Sequence, residues 1–378
     1  MEKKEKVLFL IDEFFPKINQ AIRAVDNFAS NIQDLFVPIV AVLGVVEDNY
    51  SYETLSARKN RELFEKIKKN NYAAICVFSL NLMNIAVKLR KIQNIPIILM
   101  SHTNDIDLID YENESKFVRK IKRKNVIKLY NQANEVFVSS PIVAQMLREN
   151  GFNGKVSYIP LGSGFEKSTK RQKEFATEFV GKYELVECPN ILLSIGNVRK
   201  TKRFNFALES LRLVKEKGVD FKYFIIGGGY QIETLEAYAK YLGLVDNVIF
   251  LGKTEDSKMV EIIKLSHLLL YPSVFDFYGL AKTECAEFAK PGLFIKDSFV
   301  SNEVFDGVNG YVSANNIEAY AKRIIEILDD KKNLKIVGQT AKKDLYKTWE
   351  DCSVSFKNRI SGAIKEHTAL SRKLKRGK

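Results

Sequence analysis

Between Tyr271 and Glu287 the chain reads YPSVFDFYGLAKTECAE, which sets Asp276 and Glu284 eight positions apart with Gly279 between them. A buried apolar run ends at Pro272 and Ser273, a loop carries Asp276, Tyr278 and Gly279, and the pattern then predicts a helix with Glu284 one or two turns in. Two carboxylates bracketing a glycine at a helix start could hold hydroxyl-rich groups on both sides of a phosphate bound by main-chain amides. That suits a nucleotide sugar. A plain helix with an acidic start would use the same residues for their interaction with the helix dipole.

Two earlier segments carry related chemistry. Ile191 to Lys202 reads ILLSIGNVRKTK: an apolar strand, a glycine, then Arg199, Lys200 and Lys202 ahead of a helix expected from about Phe204. Cations at a strand-to-helix turn suit a diphosphate, which also gains from helix N-terminal amides; a basic surface loop is the competing reading. Phe224 to Gly229 reads FIIGGG before a helical pattern over Gln231 to Leu242. Its glycines, Gly228 among them, would let a ligand approach the backbone, or would simply serve a tight turn. It is not G-x-G-x-x-G, so a nicotinamide or flavin site has little support.

The elements that must position these residues alternate along the whole chain. Apolar runs at Val7–Ile11, Val37–Val46, Ala73–Phe78, Ile95–Met100 and Val136–Val138 are separated by helical patterns, and the alternation restarts with Ile191–Ile195, Tyr223–Ile226, Val248–Phe250, Leu268–Tyr271 and Leu293–Ile295. Near-continuous apolar strands alternating with helices predict an α/β chain of two Rossmann-like domains. Each would have a parallel sheet covered on both faces and would bind ligands at the carboxyl ends of its strands. The charged, poorly periodic passage Glu166–Glu187 is the expected boundary. It gives domains of about 1–170, with a returning helix at about 350–378, and 171–349.

At 378 residues, two domains are the natural expectation. The formal charge of +13 suits nucleic acid, an anionic membrane surface or a phosphorylated substrate. Lys116, Arg119, Lys120, Lys122, Arg123, Lys124 and Lys128 fall in one stretch without an acidic residue, interleaved with Phe117, Val118, Ile121 and Ile127. This is either a basic amphipathic, membrane-facing segment or an ordinary solvated helix face. Nucleic-acid binding ranks last, because interleaved aromatics and known reader motifs are missing. The four cysteines show no paired spacing and read as reduced thiols. Val7–Ile11 is too short for a signal peptide, and Leu35–Val46, with Pro38 inside it, falls short of the roughly 20 residues a spanning helix needs. The cytoplasm is the expected compartment, with no metal or other cofactor and with the oligomeric state open.

Taken in order, strand-G-x-x-x-x-x-K, IIGGG, DNVIFLG at Asp246–Gly252, YPS-x-x-D-x-x-G-x-x-x-x-E and DGVNGY at Asp306–Tyr311 resemble the carboxyl-terminal domain of family 4 retaining glycosyltransferases, whose fold is GT-B. YKTWE at Tyr346–Glu350 resembles the start of that family's closing helix, and IPLGSG at Ile159–Gly164 its interdomain linker. MSHTND at Met100–Asp105 resembles its histidine-bearing loop, most of all in the diacylglycerol glucosyltransferase branch. FFPKINQA at Phe14–Ala21 is similar to its P-x-x-x-G loop.

The resemblance implies two sheets facing each other across a cleft and a sugar moved, with retention, from a nucleotide sugar, UDP-linked by family habit. The acceptor would be a lipid or lipid-linked glycan at the inner membrane face. It implies that Lys202 binds the donor diphosphate, that Asp276 contacts sugar hydroxyls and that Glu284 binds the ribose. His102 would touch the donor sugar. Gly228, Lys253, Phe277, Tyr278, Gly279 and Leu280 would line the donor, with Asn19 and Gln20 near its phosphate. Three positions depart from the pattern: Asn197 stands for an arginine whose charge Arg199 or Lys200 could supply, Gln20 for a glycine, and Asp276 for a glutamate. In such enzymes the leaving phosphate takes the acceptor's proton, so no separate base is implied. Asp105-Ile-Asp107 spells the D-x-D metal motif of the other major glycosyltransferase fold, but three residues match by chance often. The departures leave room for a non-catalytic GT-B partner subunit, and a sugar-nucleotide epimerase on the same fold is a weaker rival.

Overall fold

The computed structural model describes residues 4–14, 20–46, 49–101, 115–165, 168–274, 276 and 279–376. It divides into two compact units, Met1–Gly162 with Thr348–Lys378, and Ser163–Lys347.

In unit 1, strands β1 (Glu5–Ile11), β2 (Phe36–Leu43), β3 (Glu53–Ala57), β4 (Ala74–Val77), β5 (Ile97–Ser101), β6 (Glu135–Val138) and β7 (Lys155–Tyr158) pair in the order β3-β2-β1-β4-β5-β6-β7, all parallel. Helices α1 (Gln20–Asn31), α2 (Asn60–Ile67), α3 (Met83–Gln93), α4 (Lys116–Tyr130) and α5 (Pro141–Glu149) connect them. Strand β3, ETLSA, has too little apolar content to be read from sequence; it forms at the sheet edge by pairing Glu53–Ala57 with Ile39–Leu43.

The last helix, Trp349–Arg376, belongs to this unit, and Phe356 fixes it. The fully buried Phe356 ring stacks on Phe28 at 4.1 Å between centroids and lies 5.9 Å from Phe9 and 5.8 Å from Phe137. Arg359 Nε donates to the buried Glu135 carboxylate at 2.5 Å, and Lys155 pairs with Glu366 at 2.5 Å.

In unit 2, strands β8 (Ile191–Ile195), β9 (Lys222–Ile226), β10 (Val248–Gly252), β11 (Leu268–Tyr271), β12 (Gly292–Ile295) and β13 (Tyr311–Ser313) form a parallel sheet of order β10-β9-β8-β11-β12-β13. The connecting helices are α6 (Lys170–Lys182), α7 (Phe204–Glu216), α8 (Ile232–Tyr241), α9 (Asp256–Leu265), α10 (Leu280–Glu287), α11 (Ile317–Asp329) and α12 (Lys331–Leu345). Side chains of successive strand residues point to opposite faces. Leu192, Tyr223, Leu268 and Leu270 therefore build the core on one face, and Leu193, Phe224, Leu269 and Tyr271 the core on the other.

The chain enters unit 2 at Ser163, ahead of the charged passage 166–187 expected to be the boundary. Within that passage Lys170–Lys182 is α6, opened by a capping box between Thr169 and Gln172 and held by the buried Phe179, whose ring lies 5.0 Å from Phe224. A surface helix with few buried positions leaves only a faint periodic signal. Where the chain enters and leaves unit 2, the Ser163 N–H donates to the Lys347 carbonyl at 2.9 Å. In unit 1, a side chain at Gly162 would come within 2.7 Å of the Thr348 and Trp349 backbone.

Candidate active site

Strand order in unit 2 reverses between β8 and β11, the kind of position at which parallel sheets open a crevice at their carboxyl ends. The ladder between these strands pairs Leu192 with Leu268 and Leu193 with Leu269 and goes no further. Beyond it the Ser194 hydroxyl donates to the Leu270 carbonyl at 2.5 Å and contacts the Tyr223 hydroxyl at 2.7 Å, so a side chain bridges the opening strands. A small pocket there is lined by Ser194, Ile195, Lys202, Tyr271, Pro272 and Ser273.

The loops leaving the two strands are tied at three points. Ser273 Oγ donates to the Thr201 carbonyl at 2.9 Å, Arg203 donates to the Pro272 carbonyl at 3.3 Å, and Lys202 Nζ donates to Asp276 Oδ2 at 2.6 Å. Lys202 ends a 3-10 turn, Lys200–Lys202, and Arg203 follows in the left-handed region at φ 55°, which turns the chain into α7. The lysine stem runs back over Gly196, where an added Cβ would sit 3.2 Å from Lys202 Cε.

Asp276 receives a second hydrogen bond on the same oxygen, from the Tyr271 hydroxyl at 2.7 Å. Burial pushes the Asp276 carboxyl up, but the Lys202 charge and hydrogen bonds from Lys202, Tyr271 and Ser273 outweigh it and hold the group below its ordinary value. Burial and the Asp276 charge push the Tyr271 phenol far up, so it stays a proton donor. Lys202 Nζ also lies 3.2 Å from that hydroxyl and 5.2 Å from the ring centre. The result is a charge-balanced cluster with about a fifth of the Lys202 side chain and a quarter of the Asp276 side chain still exposed (20% and 24%).

The glycine-rich loop has a structural reason as well as a possible ligand one. A Cβ on Gly227 would lie 1.9 Å from the Gly196 carbonyl oxygen, and one on Gly229 would lie 2.2 Å from that of Val198. The loop after β9 is thus pressed directly onto the loop after β8. On Gly228 a Cβ would come 3.0 Å from the Lys253 stem, so that exposed lysine crosses the same loop. Helix α10 begins after Gly279, held at φ 68° with Val300 where a Cβ would go, 2.4 Å away. In its first turn the Lys282 N–H donates to the Gly279 carbonyl at 2.8 Å, and the amides ahead of it fall outside the helix's own ladder. Glu284, one turn on, is buried.

Of the residues singled out from sequence, Lys202 and Asp276 meet directly, and Gly279, Leu280 and Glu284 open the helix after Asp276. Asn197, Arg199 and Lys200 are exposed on the Lys202 loop. Gln20 is the first residue of α1. Asn19, His102, Phe277 and Tyr278, with the D-x-D at Asp105 and Asp107, lie outside the described residues. The basic helix α4 splits by face: Lys116, Lys120 and Lys124 are exposed with Phe117, Val118 and Ile121, whereas Arg119, Lys122 and Arg123 are half-buried. Ile127 and Tyr130 anchor its inner side, Tyr130 through a 2.8 Å hydrogen bond to Ser101. Sequence reading missed the roles of Tyr271, Ser273 and Arg203; a hydroxyl closing the apolar run LLLY was the available signal.

Residues 176–344, nearly all of unit 2, match the family model described as glycosyl transferases group 1. Over these residues unit 2 is similar to group 1 glycosyl transferases. Curated proteins similar to this chain include N-acetyl-alpha-D-glucosaminyl L-malate synthase of Bacillus anthracis, 27% identical over 176 residues, 46% of this chain and 45% of that one. Another is alpha-galactosylglucosyldiacylglycerol synthase of Streptococcus pneumoniae, 24% identical over 60% of each chain. The chain spans about half the length of the first curated relatives it matches, 45% and 51%. Among solved structures, Anabaena Alr3699/HepE in complex with UDP and glucose matches with a TM-score of 0.78 at 14% identity, over 94% of this chain and 99% of that one. WaaG, a glycosyltransferase involved in lipopolysaccharide biosynthesis, matches with a TM-score of 0.74 at 15% identity, over 94% and 100%. The fold is therefore GT-B.

Proposed function

We propose that this chain is a retaining glycosyltransferase that moves a hexose from a UDP-linked donor to a lipid or lipid-linked glycan. The observation that carries the reading is the meeting of Lys202 and Asp276 at the strand-order reversal of the glycosyltransferase domain, beside the start of α10. An ammonium, a carboxylate and a helix N-terminus at one point supply a diphosphate counter-charge, a hydroxyl acceptor and main-chain donors. UDP in the HepE complex and a diacylglycerol-linked product among the curated relatives support the donor and acceptor classes.

In this reading Lys202 stabilises the charge that grows on the departing diphosphate, and the α10 amides share it. That leaving oxygen takes the acceptor's proton on the face where the sugar departs, so retention needs no separate base. A resident metal is not required for the counter-charge. Glu284 holds the ribose and Asp276 the sugar hydroxyls, with His102, Phe277 and Tyr278 completing the donor contacts. The exposed face of α4, with Phe117 and Ile121 among Lys116, Lys120 and Lys124, supports an acceptor step at an anionic membrane surface, the cytoplasmic leaflet in this reading.

The test is UDP release from UDP-glucose, UDP-galactose and UDP-N-acetylglucosamine, with GDP-mannose as comparison, in the presence of diacylglycerol vesicles, followed by NMR of the product's anomeric proton. Steady release with an α-linked product supports the reading, and an inverted product overturns retention. The three departures, Asn197, Gln20 and Asp276, favour one alternative, a non-catalytic GT-B subunit. It predicts binding of a nucleotide sugar with no turnover.

A further inference from the structure

Tyr271 is the last residue of β11 and sits in the apolar core on one face of the sheet, yet its hydroxyl reaches the crevice. It is 4% exposed, and among the described residues its hydroxyl lies close to three groups. These are the Asp276 carboxylate at 2.7 Å, the Lys202 ammonium at 3.2 Å and the backbone of Gly279, where a Cβ would stand 3.4 Å from the same oxygen. Aspartate at position 276 has a short stem, and both Tyr271 and Lys202 converge on its Oδ2.

We propose that Tyr271 is a positioning residue for the donor sugar: its hydroxyl fixes the short Asp276 side chain at the crevice, so that Asp276 is held ready for sugar hydroxyls when a diphosphate takes over Lys202. The inference rests on the nucleotide-sugar reading of this site. Without a ligand, Asp276 neutralises Lys202. A bound diphosphate competes for the same ammonium and leaves Asp276 with the Tyr271 and Ser273 hydroxyls; the Ser273 hydroxyl also donates to the Thr201 carbonyl, so Tyr271 is the donor committed to Asp276. Tyr271 then affects the sugar half of the ligand and spares the nucleotide half. A residue that merely filled the core would affect both halves alike, through stability.

The experiment compares Tyr271→Phe, which keeps the ring in the core, with the wild-type chain. Dissociation constants are measured by calorimetry for UDP and for whichever of UDP-glucose, UDP-galactose and UDP-N-acetylglucosamine binds the wild type tightest. The expected result is a loss of about tenfold for the nucleotide sugar, the size set by removing one hydrogen bond to a charged group, with UDP changed less than about threefold. Asp276→Asn in the Tyr271→Phe background should add little further loss, since both changes act on one contact. An equal change for UDP and the nucleotide sugar, or full additivity of the two substitutions, overturns the positioning role while leaving the nucleotide-sugar reading intact. A wild-type chain that binds neither UDP nor any of the three sugars overturns that reading and this inference together.

Discussion

Lys202 and Asp276, 74 positions apart in sequence, are joined by a 2.6 Å ion pair between the loops that leave two neighbouring strands. The cation expected to meet a diphosphate is thus already occupied by the carboxylate expected to meet the sugar. In the proposed reading, ligand binding at this site is an exchange of partners. A diphosphate carries more negative charge than one carboxylate and adds hydrogen bonds to helix amides, so the exchange runs in its favour.

Lys202→Met should therefore separate catalysis from folding. Turnover is expected to fall by about 10²- to 10³-fold, the usual loss when a charge-stabilising donor is removed. Nucleotide-sugar affinity should fall at least tenfold. Circular dichroism melting shows whether the fold survives, and unchanged turnover in a folded variant would remove Lys202 from the chemistry.

The glycine loop gives a steric prediction. Gly227→Ala and Gly229→Ala place a methyl about 2 Å from carbonyl oxygens of the facing loop, and each should cost about 2–4 kcal/mol of stability. Gly252→Ala meets nothing within 4 Å and carries only the strain of φ +66°, about 1 kcal/mol. Urea unfolding of the three variants ranks them, and equal losses would refute the close-approach account.

A histidine away from the site sets a pH dependence. His267 Nδ1 accepts a hydrogen bond from the Ile191 N–H at 2.9 Å. Burial, with the nearby Lys331 and Lys290 charges, pushes its pKa down from 6.5 to about 4. The folded state then binds fewer protons than the unfolded state between these values, so stability falls as pH drops from about 6.5 to 4. Because the ring is partly exposed, the loss should be about 1–2 kcal/mol rather than the full shift. In His267→Gln that part of the pH slope should vanish; a slope identical to wild type would contradict the assignment.

The two faces of α4 should separate in a vesicle assay. Phe117→Ser, Ile121→Ser and the pair Lys120→Gln with Lys124→Gln are expected to weaken binding to anionic vesicles, by about 1 kcal/mol per lysine, with little effect on melting. Arg119→Gln and Arg123→Gln alter half-buried side chains and should lower the melting temperature instead. Binding that ignores anionic lipid content would remove the membrane proposal.

Much of this architecture was legible because buried parallel strands are nearly continuous apolar runs: ILLSI and LLLY are strands β8 and β11 to the residue. What lacked an apolar signature was missed. ETLSA owes its strand conformation to a neighbour, and α6 shows its inner face mainly through Phe179. At the site, residue order predicted that Lys202 and Asp276 share one place. Their contact, and the tyrosine clamping it, required the strand-order reversal that brings two distant loops together. The three glycines were legible as a close approach, but the approaching group is the Gly196–Val198 backbone as much as any ligand.

Because the core of unit 1 includes Phe356, that unit is completed after unit 2 although its first strands are made before it. Residues 1–162 must wait through the synthesis of an entire second unit before the ring that stacks on Phe28 is made, whereas 163–347 is contiguous and can fold as it emerges. Phe356→Ala should on this account cost about 3–5 kcal/mol and weigh on the first unit alone. A graft of the first unit onto a different second unit needs two splice points, one at Gly162 and one at Thr348, since a single junction would leave its last helix behind.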